Sequence, residues 1–189
     1  VIPDLRRMIH EIAGRDLPIA ITEYGLDSRN IIRGETAPNA PISAIWWGDS
    51  LARSIDQGVE IVTYWNLTER DAQGGHGIFN GTLERPVYYT FDLYSRFGDT
   101  LVSADAGNEE VFAIASLRED GALTVMLSNT SQEEQTLVVD LQGFAGETVE
   151  AWRVLGEKEG KTEIEEALVG GEEIALPPVS LTLFVLAQE

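Results

Sequence analysis

Apolar residues recur at two different spacings along this chain, and the change from one to the other divides it. In the first half, Leu5, Met8, Ile9 and Ile12 fall at helical spacing, and Gly14 offers a stop. The run Pro18-Ile19-Ala20-Ile21-Thr22-Glu23 then reads as a short buried parallel strand behind a proline. Ile42, Ile45, Trp46, Leu51, Ala52 and Ile55 lay out a second helix that ends at Gly58. Val59-Glu60-Ile61-Val62-Thr63-Tyr64-Trp65 reads as a second buried strand. Pro86 suits the first turn of a third helix, which is expected to run through Tyr89, Leu93, Tyr94 and Phe97 and to stop at Gly98. Residues 24–41 and 66–84 are left as long loops, each following a strand. Helix, strand, loop, helix, strand, loop, helix is the order of an α/β fold with a parallel sheet.

From residue 100 onward the period becomes two. Strands are expected near 111–118, 123–129, 135–140, 148–154, 172–175 and 180–187. Glu119-Asp120-Gly121, Asn129-Thr130-Ser131 and Gly170-Gly171 supply turns between them. Such spacing suggests an antiparallel β-sandwich, with Phe112, Phe144, Trp152 and Phe184 mostly in core-like alternation. The expected division is 1–98 for the α/β part and 99–189 for the sandwich.

Charge sharpens that boundary. Residues 1–98 carry 13 acids and 9 bases, whereas residues 99–189 carry 19 acids and 4 bases. The whole chain of 189 residues has a formal net charge of -19. Nucleic acid and anionic membranes need Lys and Arg to neutralise phosphate, so this balance argues against both as partners. A neutral substrate such as a sugar meets no such repulsion. With no cysteine, disulfides and thiolate metal sites are excluded, and no compartment is assigned. No apolar run approaches the ~18 residues of a membrane span. The chain opens on a helical pattern with no initiator Met and no signal-peptide core, as a piece of a longer protein would.

The carboxyl ends of parallel strands, with the loops that follow, form the active face of α/β folds. That directs attention to Glu23 with Tyr24, and to Trp65 with Asn66. Hydrolysis of a glycosidic bond needs two carboxyl groups, one on each side of the bond. Glu23 reads either as one of them or as a solvated strand-end acid. Trp65 reads either as a flat platform for a sugar ring or as a core residue capping the strands. His76, within Gln73-Gly74-Gly75-His76-Gly77, reads as a substrate contact or as an ordinary loop histidine. Trp46 fits the apolar stripe of its helix and is expected in the core, with Trp47 partly exposed. His10 is read as a helix residue without a role. The acid pairs Glu109-Glu110, Glu165-Glu166 and Glu172-Glu173 lack the spacing of a calcium loop and read as a solvated acidic face. No metal, cofactor, phosphate loop or serine elbow is expected.

Three pieces in order carry a resemblance. Pro18-Ile19-Ala20-Ile21-Thr22-Glu23-Tyr24-Gly25 resembles the nucleophile strand, strand seven, of clan A glycoside hydrolases. Thr63-Tyr64-Trp65-Asn66-Leu67 resembles strand eight with its substrate-platform tryptophan. Gly77-Ile78-Phe79-Asn80-Gly81, followed by Glu84-Arg85-Pro86 and Tyr88-Tyr89-Thr90-Phe91, is similar to the turn and final helix that close these barrels. The β-xylosidase/α-iduronidase and α-L-arabinofuranosidase families, which append a C-terminal β-sandwich, are nearest in character. The resemblance implies the last strand–helix units of a (β/α)₈ barrel followed by a sandwich. It also implies Glu23 as nucleophile, with Trp65, Tyr24, Asn66 and His76 binding a carbohydrate substrate. Clan A enzymes carry an Asn-Glu pair on strand four, and no strand precedes Pro18 here. A whole barrel needs about 250 residues, so the isolated chain is expected to be inactive. Two further readings stand beside this one. One is a non-catalytic carbohydrate-binding or structural module. The other is self-association, or pairing with the missing N-terminal barrel segment, through the orphan strands.

Overall fold

Three helices and thirteen strands follow one another in the computed structural model, which describes residues 1–26, 37–69 and 75–188. The predicted loops over 24–41 and 66–84 lie partly outside the described residues, at 27–36 and 70–74.

Helix α1 spans Ile2–Ala13 and is closed by Gly14 in the left-handed region, φ 68°, whose N–H donates to the His10 carbonyl at 2.9 Å. Strand β1, Ala20–Tyr24, is followed by α2, Ile42–Asp56, and β2, Ile61–Tyr64. β1 and β2 pair in parallel, with Ala20 opposite Ile61 and Tyr24 opposite Tyr64. The expectation that these two strands are buried is corrected here. Thr22, Glu23 and Thr63 are exposed, Ile61 is 50% exposed, and α1 buries none of its residues. A parallel strand becomes buried only when layers cover both its faces, and among the described residues these strands do not have two.

The predicted loop after β2 contains a small sheet instead: β3 at Thr68–Glu69, β4 at Phe79–Asn80 and β5 at Leu83–Glu84. Helix α3, Pro86–Tyr94, starts on its proline as expected but ends before Phe97. The reason is the approach to the next sheet. Gly98 donates its N–H to Ser116 Oγ at 2.8 Å, and a Cβ there would lie 2.2 Å from the Leu117 carbonyl oxygen. The chain must leave the helix to make that contact.

The second half forms β6 (Thr100–Val102), β7 (Val111–Leu117), β8 (Leu123–Asn129), β9 (Gln135–Val138), β10 (Gly146–Leu155), β11 (Lys158–Glu163), β12 (Glu173–Leu176) and β13 (Ser180–Gln188). Six of them make an antiparallel sheet in the order β11-β10-β13-β8-β7-β6, while β12 pairs antiparallel with β9. Side chains alternate faces along each strand. Ile114, Met126, Val154, Leu181, Leu183 and Val185 share one face with Ala44, Ile45, Ala52 and Leu93 of the helices. Val111, Val125, Leu127, Phe184 and Leu186 share the other with Leu168, Ile174 and Leu176. Helices thus cover one face of the sheet and the β9–β12 pair the other, and one core runs across the charge break at residues 98–99. Burying each such Leu or Phe is worth about 1.5–3 kcal/mol.

Polar contacts fix how α2 lies on this sheet. Ser128 Oγ donates to Asp49 Oδ1 at 2.8 Å. From α3, Thr90 Oγ1 donates to the Ala44 carbonyl at 2.7 Å and the Tyr94 hydroxyl to that of Gly48 at 2.9 Å. Gly48 is required by closeness, since a Cβ there would stand 2.5 Å from Leu181 Cδ2.

Candidate active site

Parallel pairing places the carboxyl ends of β1 and β2 side by side, and the backbone joins them there: Trp65 N–H donates to the Tyr24 carbonyl at 2.9 Å. Tyr24 and Tyr64 both turn toward α2. The Tyr24 ring lies 5.1 Å from Trp46 and 5.9 Å from Trp47, and the Tyr64 ring lies 5.0 Å from Trp47. The register shifts between Ile21 and Tyr24, and both Thr22 and Glu23 are exposed there; Trp65, the residue after β2, is 49% exposed.

This aromatic layer reverses the expectation for the two helix tryptophans. Trp47 is completely buried and Trp46 only partly so. Trp47 is enclosed by Tyr24, Tyr64 and Phe91, all of them contributed by other elements. His10 is exposed and its Nδ1 lies 3.2 Å from Asp16 Oδ1.

The loop candidates close the edge. Gly25 lets two segments meet: a Cβ there would stand 3.2 Å from the Trp65 carbonyl oxygen and 3.5 Å from His76 Nδ1. His76 is half-buried, and its Nδ1 is buried without a hydrogen-bond partner among the described residues. Asn66 faces inward: Nδ2 donates to Glu69 Oε1 at 2.9 Å, and Oδ1 is buried. The peptide bond between Trp65 and Asn66 is cis. Glu23, Tyr24, Trp65, Asn66 and His76 are therefore gathered at one edge.

Beneath that edge lie Arg85, Glu69 and Tyr64, to which the sequence pattern assigns no role at the site. Arg85, buried at the start of α3, donates from Nη1 to the Gly75 carbonyl at 2.7 Å and lies 3.9 Å from Glu69 Oε2. The buried Tyr64 hydroxyl is pushed up to about 12, chiefly by loss of solvent, with Arg85 lowering it and Glu69 raising it. Arg85 stands directly before the helix-starting proline, where sequence suggests only a cap.

Among the described residues, no three His, Cys, Asp or Glu side chains come together as a metal site would require, and no helix is long and apolar enough to cross a membrane. Of the acid pairs, Glu166 meets Arg153 at 2.9 Å. A cleft of about 340 Å³ lies between Ile42, Gln132, Leu155, Glu157, Pro177 and Val179, and none of the five candidates lines it.

Neither a protein-family model nor a curated protein sequence matches the chain. Solved structures do. A xyloglucanase of glycoside hydrolase family 44 from Paenibacillus polymyxa matches all of this chain with 36% of its own, at 20% identity and a TM-score of 0.75. A glycoside hydrolase family 30 subfamily 8 xylanase from Clostridium acetobutylicum matches 95% of it with 44% of its own, at 18% identity and a TM-score of 0.69. A monomeric β-xylosidase from Caulobacter crescentus matches 99% with 49% of its own, at 14% identity and a TM-score of 0.67. The chain has the fold of part of a glycoside hydrolase. It spans less than half the length of each of these three structures, and at such identities the likeness is one of fold.

Proposed function

We propose that residues 1–189 are the C-terminal part of a retaining glycoside hydrolase acting on O-glycosidic bonds of oligo- or polysaccharides. In this reading residues 1–98 are the last units of a (β/α)₈ barrel and residues 99–189 a β-sandwich that supports them. Glu23 is the nucleophile, Trp65 the platform for the sugar ring, and Tyr24, Asn66 and His76 shape the edge around it. The acid/base Glu is supplied by a strand outside these residues. The observation that carries the proposal is the joined carboxyl end of β1 and β2, where Glu23 and Trp65 are both exposed, in a chain that has the fold of part of a glycoside hydrolase. Among the described residues β1 and β2 pair with each other alone, and their outer edges leave room for further barrel strands beside them.

The chemistry follows from two carboxyl groups about 5–5.5 Å apart. The Glu23 carboxylate attacks the anomeric carbon as the bond to the leaving oxygen breaks, and the acid/base Glu protonates that oxygen. Water, deprotonated by the same Glu, then displaces Glu23 from the sugar. The indole face of Trp65 packs on the C–H face of the ring. No cofactor is needed.

Xylan and xyloglucan are the first substrates to test, because the structural neighbours are named for them. In the full-length protein, Glu23→Gln is expected to lower kcat by about a thousandfold or more, as loss of a covalent nucleophile does. Unchanged turnover would refute the assignment. Residues 1–189 alone are expected not to cleave aryl glycosides, and turnover that Glu23→Gln abolishes would show that no second segment is required.

A further inference from the structure

Arg85 and Glu69 hold the two segments that carry Trp65 and His76. Arg85 Nη1 donates to the Gly75 carbonyl at 2.7 Å and lies 3.5 Å from the Gly77 carbonyl oxygen, so one guanidinium brackets His76 from both sides. Glu69 Oε1 accepts from Asn66 Nδ2 at 2.9 Å, and Asn66 is the chain neighbour of Trp65. A carboxylate can only accept, so Glu69 fixes which way the Asn66 amide faces. Glu69 Oε2 lies 3.9 Å from Arg85 Nη1, which joins the two halves.

The loop is moulded onto this pair. Gly75 has φ +95°, and a Cβ there would fall 1.5 Å from Glu69 Oε2. A Cβ at Gly77 would lie 2.8 Å from the Glu69 backbone nitrogen. The Arg85 side chain is only 7% exposed and that of Glu69 26%. A guanidinium this deep is costly unless its donors are met. Among its partners are the carbonyls on either side of a candidate site residue.

We propose that Glu69 and Arg85 are positioning residues: the pair locks residues 66–69 and 75–78 so that the Trp65 platform and His76 stand at fixed places beside Glu23. The proposal rests on the glycosidase reading above, and two measurements keep their failures apart. The first is amide hydrogen exchange in the full-length protein carrying Glu69→Ala, Glu69→Gln or Arg85→Lys. Exchange over 66–69 and 75–78 is expected to rise about tenfold or more in Glu69→Ala and Arg85→Lys, with the β8 and β13 amides unchanged. Glu69→Gln keeps an acceptor for Asn66 and is expected to recover most of the protection at 66–69. Unchanged exchange in Glu69→Ala and Arg85→Lys overturns the proposal whether or not the protein is a glycosidase.

The second measurement is kinetic, with xyloglucan or xylan as the probe. Arg85→Lys is expected to raise KM about tenfold or more while kcat moves by about threefold or less, because misplacing a sugar platform weakens binding before it touches the nucleophile. Faster exchange with unaltered KM overturns the proposal, since the pair would then hold the loop without serving the site. Failure of the glycosidase reading appears separately, as no turnover of either polysaccharide by the unaltered full-length protein, in which case the exchange measurement still decides whether the pair holds these segments.

Discussion

β1 and β8 are both apolar strands of similar length, and they end in opposite surroundings. Every residue of β8 is buried, between helices on one side and the β9–β12 pair on the other. In β1 no residue is buried, and in β2 the aliphatic Ile61 is half exposed. The sequence of a strand therefore sets which layers it needs, while its burial depends on whether those layers are present. β8 finds both within residues 1–188. Among the described residues β1 and β2 find one, the aromatic layer of Trp46, Trp47 and Phe91 on which Tyr24 and Tyr64 pack, and that incomplete burial coincides with the edge where the candidate chemistry gathers.

The largest effect separating the two regions is expected from core truncation. Phe184→Ala, at a fully buried position, should cost about 3–5 kcal/mol, whereas Ile61→Ala, half exposed, should cost less than about 1 kcal/mol. Urea unfolding of both variants checks this, and equal costs would break the comparison.

Next in size is an alkaline limb from Tyr64. Its hydroxyl is raised from 10 to about 12 in the fold. The folded state therefore holds a proton that the unfolded chain releases. That stability is intact below pH 10 and is lost as pH rises toward about 12, by on the order of 2 kcal/mol. Tyr64→Phe should remove that part of the pH dependence in thermal unfolding scans. Smaller again is Asp49→Ala, which loses the Ser128 hydroxyl contact at 2.8 Å and should cost about 1–2 kcal/mol. Met8→Lys, on a helix with no buried residue, should change stability of residues 1–189 by about 0.5 kcal/mol or less. A cost of several kcal/mol in the full-length protein but not in residues 1–189 would sharpen the comparison by showing that α1 is covered there.

Local signals made much of this fold legible. Gly14 and Gly58 mark the ends of α1 and α2 because left-handed backbone favours glycine, and both have φ above 60°. The expected range 123–129 matches Leu123–Asn129, since the flanking turns and the apolar Val125-Met126-Leu127 at its centre leave little choice. β11 was not foreseen, because Lys158-Glu159-Gly160-Lys161-Thr162-Glu163 has no apolar alternation to read. It is an edge strand, where lysine is common and a hydrophobic face is not required. The end of α3 and the exchange of Trp46 for Trp47 were hidden because distant partners decide them: Ser116 for the first, Tyr24 and Tyr64 for the second. The gathering of Glu23 with Trp65 was legible, since parallel strands joined through a helix share their carboxyl edge. The Arg85–Glu69 pair beneath them was not, because residues 70–84 separate two charges whose sequence context suggests only a loop and a helix start.

The central claim is that Glu23 forms a covalent bond to a sugar. It is tested most directly by treating the full-length protein with an activated 2-deoxy-2-fluoro glycoside, which slows release of the glycosyl-enzyme, and mapping the adduct by peptide mass spectrometry. The account predicts one adduct, on the peptide containing Glu23, that disappears in Glu23→Gln. An adduct on a different carboxylate, or hydrolysis that proceeds undiminished in Glu23→Gln, would contradict it.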